Sequence, residues 1–151
     1  MSRKARARLL YPTISVSERV AGLGVKGALL FTWLLAHCDD QGRYCGSAKK
    51  IKAQVVPLVD EFTVKDVEKA LAEMERVKLI ARYGEQVIQV VDWWDFQDGL
   101  RVRYESRYPA PEGWKDRVRL PPEQTRDGMG KFRPSPLVDR DTGELLEPPN
   151  R

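Results

Sequence analysis

Few side chains in this sequence could do chemistry. There is one histidine, His37, followed directly by Cys38 and, after six intervening residues, by Cys45. A nucleophilic site needs a base within hydrogen-bond reach of a hydroxyl or thiol and a third group to orient that base. His37 instead closes an apolar run, where a histidine serves as a helix-end residue, and no Ser-His-Asp order accompanies it. The H-C-x6-C cluster matches no zinc spacing. With no signal peptide in view the two cysteines are expected as free thiols, although the short spacing also permits a disulfide. Adjacent Asp39 and Asp40 precede Gln41-Gly42 and suit a turn better than a catalytic pair. Asp92 and Asp95 are three residues apart with nothing beside them to complete a site. No glycine-rich phosphate cradle is present. The sequence therefore predicts a non-enzyme: no catalytic residue, no metal ligand and no cofactor.

The remaining chemistry is cationic. The formal net charge is +4, and its distribution is uneven. Residues 1–20 carry Arg3, Lys4, Arg6, Arg8 and Arg19 against Glu18. Residues 21–60 add five bases and three acids, residues 61–92 hold five bases and seven acids, and the remainder balances. All of the net positive charge thus lies before residue 61, and a basic arm at 1–8 suits phosphate binding. The same arm also reads as a solvated terminus.

The elements that must position these charges are legible from periodicity. Thr63-Val64 to Val77 is an amphipathic helix, with Val64, Val67, Leu71 and Met74 on one face. Thr63 can cap it, with Asp66 completing a capping box. Leu79 to Tyr83 and Val87 to Val91 are strand-like and flank a Gly84-Glu85-Gln86 turn. Upstream, Ser15 or Ser17 starts a short helix through Ala21, with Val16 and Val20 inward and Pro12 breaking what precedes it. Val25 to Cys38 is apolar almost all round, which predicts a buried central helix with Trp33 in the core. Arg43-Tyr44-Cys45 is a short strand. Ser47 caps a helix over 48–56 with Ile51 and Val55 inward and Lys49, Lys50 and Lys52 outward, stopped by Pro57. Trp93 and Trp94 are expected over the core, with base stacking as the alternative. From Pro109 the chain is punctuated by prolines and predicts an extended tail over 111–151. No apolar run reaches the roughly 18–20 residues of a membrane span, so a cytoplasmic chain with no membrane partner is expected.

The order of these pieces resembles a known family. An apolar helix ends in Asp39-Asp40-x-Gly42-Arg43, and a Lys-rich helix follows. Then comes Ala70-Leu71-x-x-Met74-Glu75-x-x-x-Leu79-Ile80-x-x-Tyr83, and an Ile/Val strand runs into Trp93-x-x-Phe96-Gln97 and a later Tyr108-Pro109. This is similar to the amino-terminal winged-helix domain of phage and prophage replication proteins, the DnaD-like replisome organisers. The likeness spans residues 9–110. It implies an α+β fold with a winged helix-turn-helix and a short β-hairpin wing, and a role on double-stranded DNA or among replication proteins, with homo-oligomers as a further implied state. Phe96 stands where many relatives carry histidine, and no typical helicase-loading domain follows Trp114. A stand-alone DNA-binding or regulatory protein of a mobile element is therefore expected.

On such a fold the phosphate-binding candidates are Arg3, Lys4, Arg6 and Arg8 of the arm, Lys49, Lys50 and Lys52 of the preceding helix, and Lys65 and Lys69 of the long helix. Arg82 and Gln86 belong to the wing. The long helix carries as many acids as bases on its outward positions, which predicts weakly sequence-specific binding. The competing expectation is a protein-interaction scaffold without direct DNA contact.

Overall fold

The computed structural model describes residues 6–98, 100–102, 104–119 and 136–146. It is an α+β arrangement. A 3-10 turn, Pro12–Val16, leads into a one-turn helix α1, Glu18–Ala21, whose Ser17 side chain accepts from Val20 N. Pro12 therefore opens a helical turn instead of breaking one, as its fixed φ and missing N–H allow at a first position. Val20 turns inward as expected, but Val16 is 80% exposed. Helix α2 spans Gly24–His37, strand β1 Arg43–Cys45, helix α3 Ala48–Gln54 and helix α4 Val64–Arg76. Strands β2, Ile80–Tyr83, and β3, Val87–Val90, follow, then a single turn α5, Trp93–Phe96.

Local chemistry explains most boundaries. Ser47 caps α3 through Lys50 N. Thr63 Oγ1 accepts from Asp66 N at 3.1 Å while Asp66 accepts from Thr63 N at 2.9 Å, so both halves of the capping box are present. The β2–β3 turn places Gly84 and Gln86 at positive φ. Helix α4 packs against α2, α3 and strand β2 of an antiparallel sheet ordered β1-β3-β2. The core gathers Leu30, Leu34, Ile51, Phe62, Val67, Leu71, Met74, Ile80, Ile88, Val90, Trp93 and Trp94. Both tryptophans are buried, so neither offers a face for base stacking. Trp33, expected inside, is 44% exposed, and Val64 is 45% exposed.

The sheet is covered on its second face as well. Arg43 and Gln89 pair in register across β1 and β3 and are both 0% exposed. A polar pair can be buried only with its hydrogen bonds met. Arg43 Nε donates to Gln89 Oε1 at 2.8 Å, and its two amino groups reach Tyr108 O at 3.2 Å and the Asp116 carboxylate at 2.5 Å. Gln89 Nε2 donates to Gln41 O at 2.8 Å. The covering layer is the chain after residue 100. It includes a second small sheet, β4 Arg117–Arg119 against β5 Leu137–Asp139. The expected extended tail over 111–151 is thus corrected where it is described, at 111–119 and 136–146. These residues include the paired strands β4 and β5, docked by Asp116 to Arg43 and by Gln41, whose side-chain amide bonds both N and O of Arg117.

The turn Asp39–Arg43 organises this attachment. Asp39 accepts from Gln41 N, Arg43 N and Ser106 Oγ at 2.9, 3.0 and 2.6 Å. Asp40 accepts from Tyr104 N at 3.3 Å, and its own carbonyl takes Trp93 Nε1 at 3.0 Å. Gly42 has φ +81, and a Cβ there would sit 2.5 Å from Trp93 Cγ, so only glycine fits.

Candidate nucleic-acid interface

On α4 the inward residues are Val67, Ala70, Leu71 and Met74. At about 100° per residue, the opposite face carries Lys65, Lys69, Ala72 and Arg76. The acids fall on the flanks. A simple count sets acids against bases on this helix, whereas its geometry places the carboxylates off the outward stripe. Three of the four are also engaged: Glu68 accepts from Arg82 at 2.8 Å, Glu73 from Arg76 at 2.9 Å, and Asp66 from Lys26 at 3.3 Å. Hydrogen bonds from Thr63 hold the Asp66 carboxyl below the usual carboxylate range, with Lys26 adding to the effect. The Arg76 hydrogen bond does the same for Glu73. Exposed pairs of this kind add little stability, but they neutralise negative charge beside the lysines.

Lys49 and Lys50 are exposed on α3, which packs directly on α4. Gln86 is exposed at the hairpin turn. Between that turn and α4 lies an open groove of about 270 Å³, lined by Gly46, Glu68, Arg82, Tyr83, Gly84, Gln86 and Val87.

Other expected contacts are spent within the protein. Arg6 and Arg8 do not form a solvated arm: both pair with the buried Asp40 carboxylate, at 3.1 and 3.0 Å. Arg8 keeps only 6% of its side chain exposed and lies over the Trp93 ring at 5.3 Å. Lys52 caps the turn between α3 and α4, donating to Val56 O at 3.0 Å and Val59 O at 2.8 Å. Arg82 is held by Glu68. Arg3 and Lys4 lie outside the described residues. Arg76 joins the cationic stripe by the helical spacing Lys65, Lys69, Arg76, although its guanidinium also bonds Glu73.

His37 ends α2 with its ring 5.8 Å from Tyr44 in an edge-on contact, and burial lowers its pKa. Tyr44 bonds Gln54 Oε1, and burial raises its hydroxyl pKa to about 12. Cys38 is buried, and burial pushes its thiol well above the ordinary range. Among the described residues, no cluster of His, Cys, Asp or Glu could hold a metal ion, and no helix is long and apolar enough to cross a membrane. Compared with protein-family models, curated proteins and solved structures, the chain matches none.

Proposed function

We propose that this chain is a winged-helix protein that binds duplex DNA through its phosphates, in replication or regulation of a phage-like element in the cytoplasm. Helix α3, helix α4 and the β2–β3 hairpin stand in the order of a helix-turn-helix followed by a wing. The observation that carries the reading is the carboxylate-free outward stripe of α4, Lys65, Lys69 and Arg76, beside exposed Lys49 and Lys50 on α3. A stripe of flexible ammonium groups positions a protein on phosphates and reads little sequence, so binding is weakly specific. Arg6, Arg8 and Lys52 are withdrawn from the expected contact set because their partners lie inside the protein.

The test is fluorescence anisotropy on generic duplexes across a salt series. Replacing Lys49, Lys50, Lys65 and Lys69 together by Gln should lower affinity on every sequence and flatten the salt slope by roughly 3–4. Lys52→Gln should leave the slope unchanged, since its ammonium already serves carbonyl oxygens. A quadruple variant that binds with the parent's affinity and slope would remove the reading. A scaffold without DNA contact is the second reading, and the exposed apolar side chains of Val25 and Trp33 on α2 favour it.

A further inference from the structure

A cavity of about 160 Å³ lies between the amino-terminal flank and the core. Its inner wall is made of buried core side chains, Val20, Phe31, Val90 and Trp93 among them. Its outer wall is the flank, from Leu9 through Ile14, together with Phe96 of α5. Leu9, Leu10 and Phe96 are exposed, which places the mouth between the flank and α5. Protein interiors pack as densely as organic crystals and hold few voids larger than a water molecule. Space of this size is room for a guest.

The wall sets the chemistry of that guest. Its two charged residues are committed to each other: Arg19 Nη2 meets Asp92 Oδ2 at 2.7 Å, and Arg19 Nη1 reaches Lys78 O at 3.2 Å. The Gln97 amide is spent on Leu9 at both ends, and Ser17 Oγ accepts from Val20 N. A charged guest would leave water for an apolar space whose opposite charges are already paired, at a heavy desolvation cost. Phe31, Trp93 and Phe96 instead present rings, and rings favour edge-on and tilted contacts with other rings. Tyr11 and Phe96 already meet so at the outer wall, with centroids 6.0 Å apart and planes inclined by 60°. A cavity of about 150 Å³ walled by Leu, Ile and Phe takes benzene, so this one admits a single ring. We propose that it binds a neutral one-ring aromatic molecule. The guest enters beside Leu10 and Phe96, packs against Trp93 and Phe31, and pins the flank to the core. This inference does not depend on DNA binding and is tested without DNA.

The test titrates the full chain with benzene and, separately, with benzoate, followed by NMR shifts and thermal melting. Benzene should move the Trp93 indole signal and the amides of Val20, Leu35 and Val90 along one saturable curve. The amides of α3 and of the outward stripe of α4 should stay in place. At saturation the melting temperature should rise by at least about 2 °C, because the guest binds the folded chain alone. Benzoate should bind at least about tenfold more weakly. Ile14→Trp fills the cavity from its outer wall and should abolish the benzene shifts. Leu35→Phe fills it from α2 and serves if the first variant is unstable, since both residues line the space. Absence of saturable benzene shifts, or shifts scattered over the surface, would overturn the inference. So would benzoate binding as tightly as benzene, or a folded, filled variant that binds benzene like the parent.

Discussion

The turn at Asp39–Arg43 and the outer stripe of α4 use the same residue types to opposite ends. In the turn, acids and arginines are buried together: Asp40 with Arg6 and Arg8, Arg43 with Asp116. On α4, Asp66, Glu68 and Glu73 are paired at the surface, and Lys65 and Lys69 face water beside the Arg76–Glu73 pair. A buried charge without its partner is costly, so the turn binds segments distant in sequence and holds them. A surface charge is cheap to leave and cheap to engage, so α4 can exchange water and counterions for phosphate. Charge content does not separate these roles; burial does.

That contrast can be broken at either end. The largest effect is expected from Arg43→Met, which strands Gln89 and weakens the hold on Asp116; urea denaturation should show a loss of about 3 kcal/mol. DNA affinity of the folded fraction should be unchanged. Gly42→Ala places a Cβ into Trp93 at positive φ and should cost about 2–4 kcal/mol in the same measurement. Thr63→Ala removes the cap of α4 and should cost about 1 kcal/mol. It should also alter the acid limb. The folded Asp66 pKa lies below its unfolded value, so its contribution is present above the unfolded pKa and is lost as pH falls through the folded one. Thermal melts from neutral to acid pH should show that loss reduced in the variant. The smallest effect on stability, within about 0.5 kcal/mol, belongs to Glu68→Gln. Its effect on binding should be the clearest: Arg82 is released beside the groove, and the salt slope should steepen by roughly 1.

Much of the fold was legible because its causes are local. The Thr63/Asp66 box, the Ser47 cap and the glycine turn at Gly84 each act over three or four residues, and the structure has all of them. The attachment of the flanks was not legible. Arg6 meets Asp40 across 34 residues and Arg43 meets Asp116 across 73, and no periodic pattern encodes such distances. One signal was present. Gln89 interrupts Val87-Ile88-x-Val90, and a polar residue in an apolar strand marks a strand covered on both faces with an internal partner. Likewise, the acids and bases of α4 could be counted from sequence, but pairing Glu68 with Arg82 required the hairpin to be placed beside the helix.

Gln97 clasps Leu9 through two bonds, accepting from its N at 2.9 Å and donating to its O at 3.1 Å, while Arg6 reaches Arg101 O at 2.8 Å. The segment entering the domain and the segment leaving it therefore run side by side. Both backbone groups of Leu9 thus depend on one side chain, so losing the Gln97 amide would release the two flanks of the helical core together.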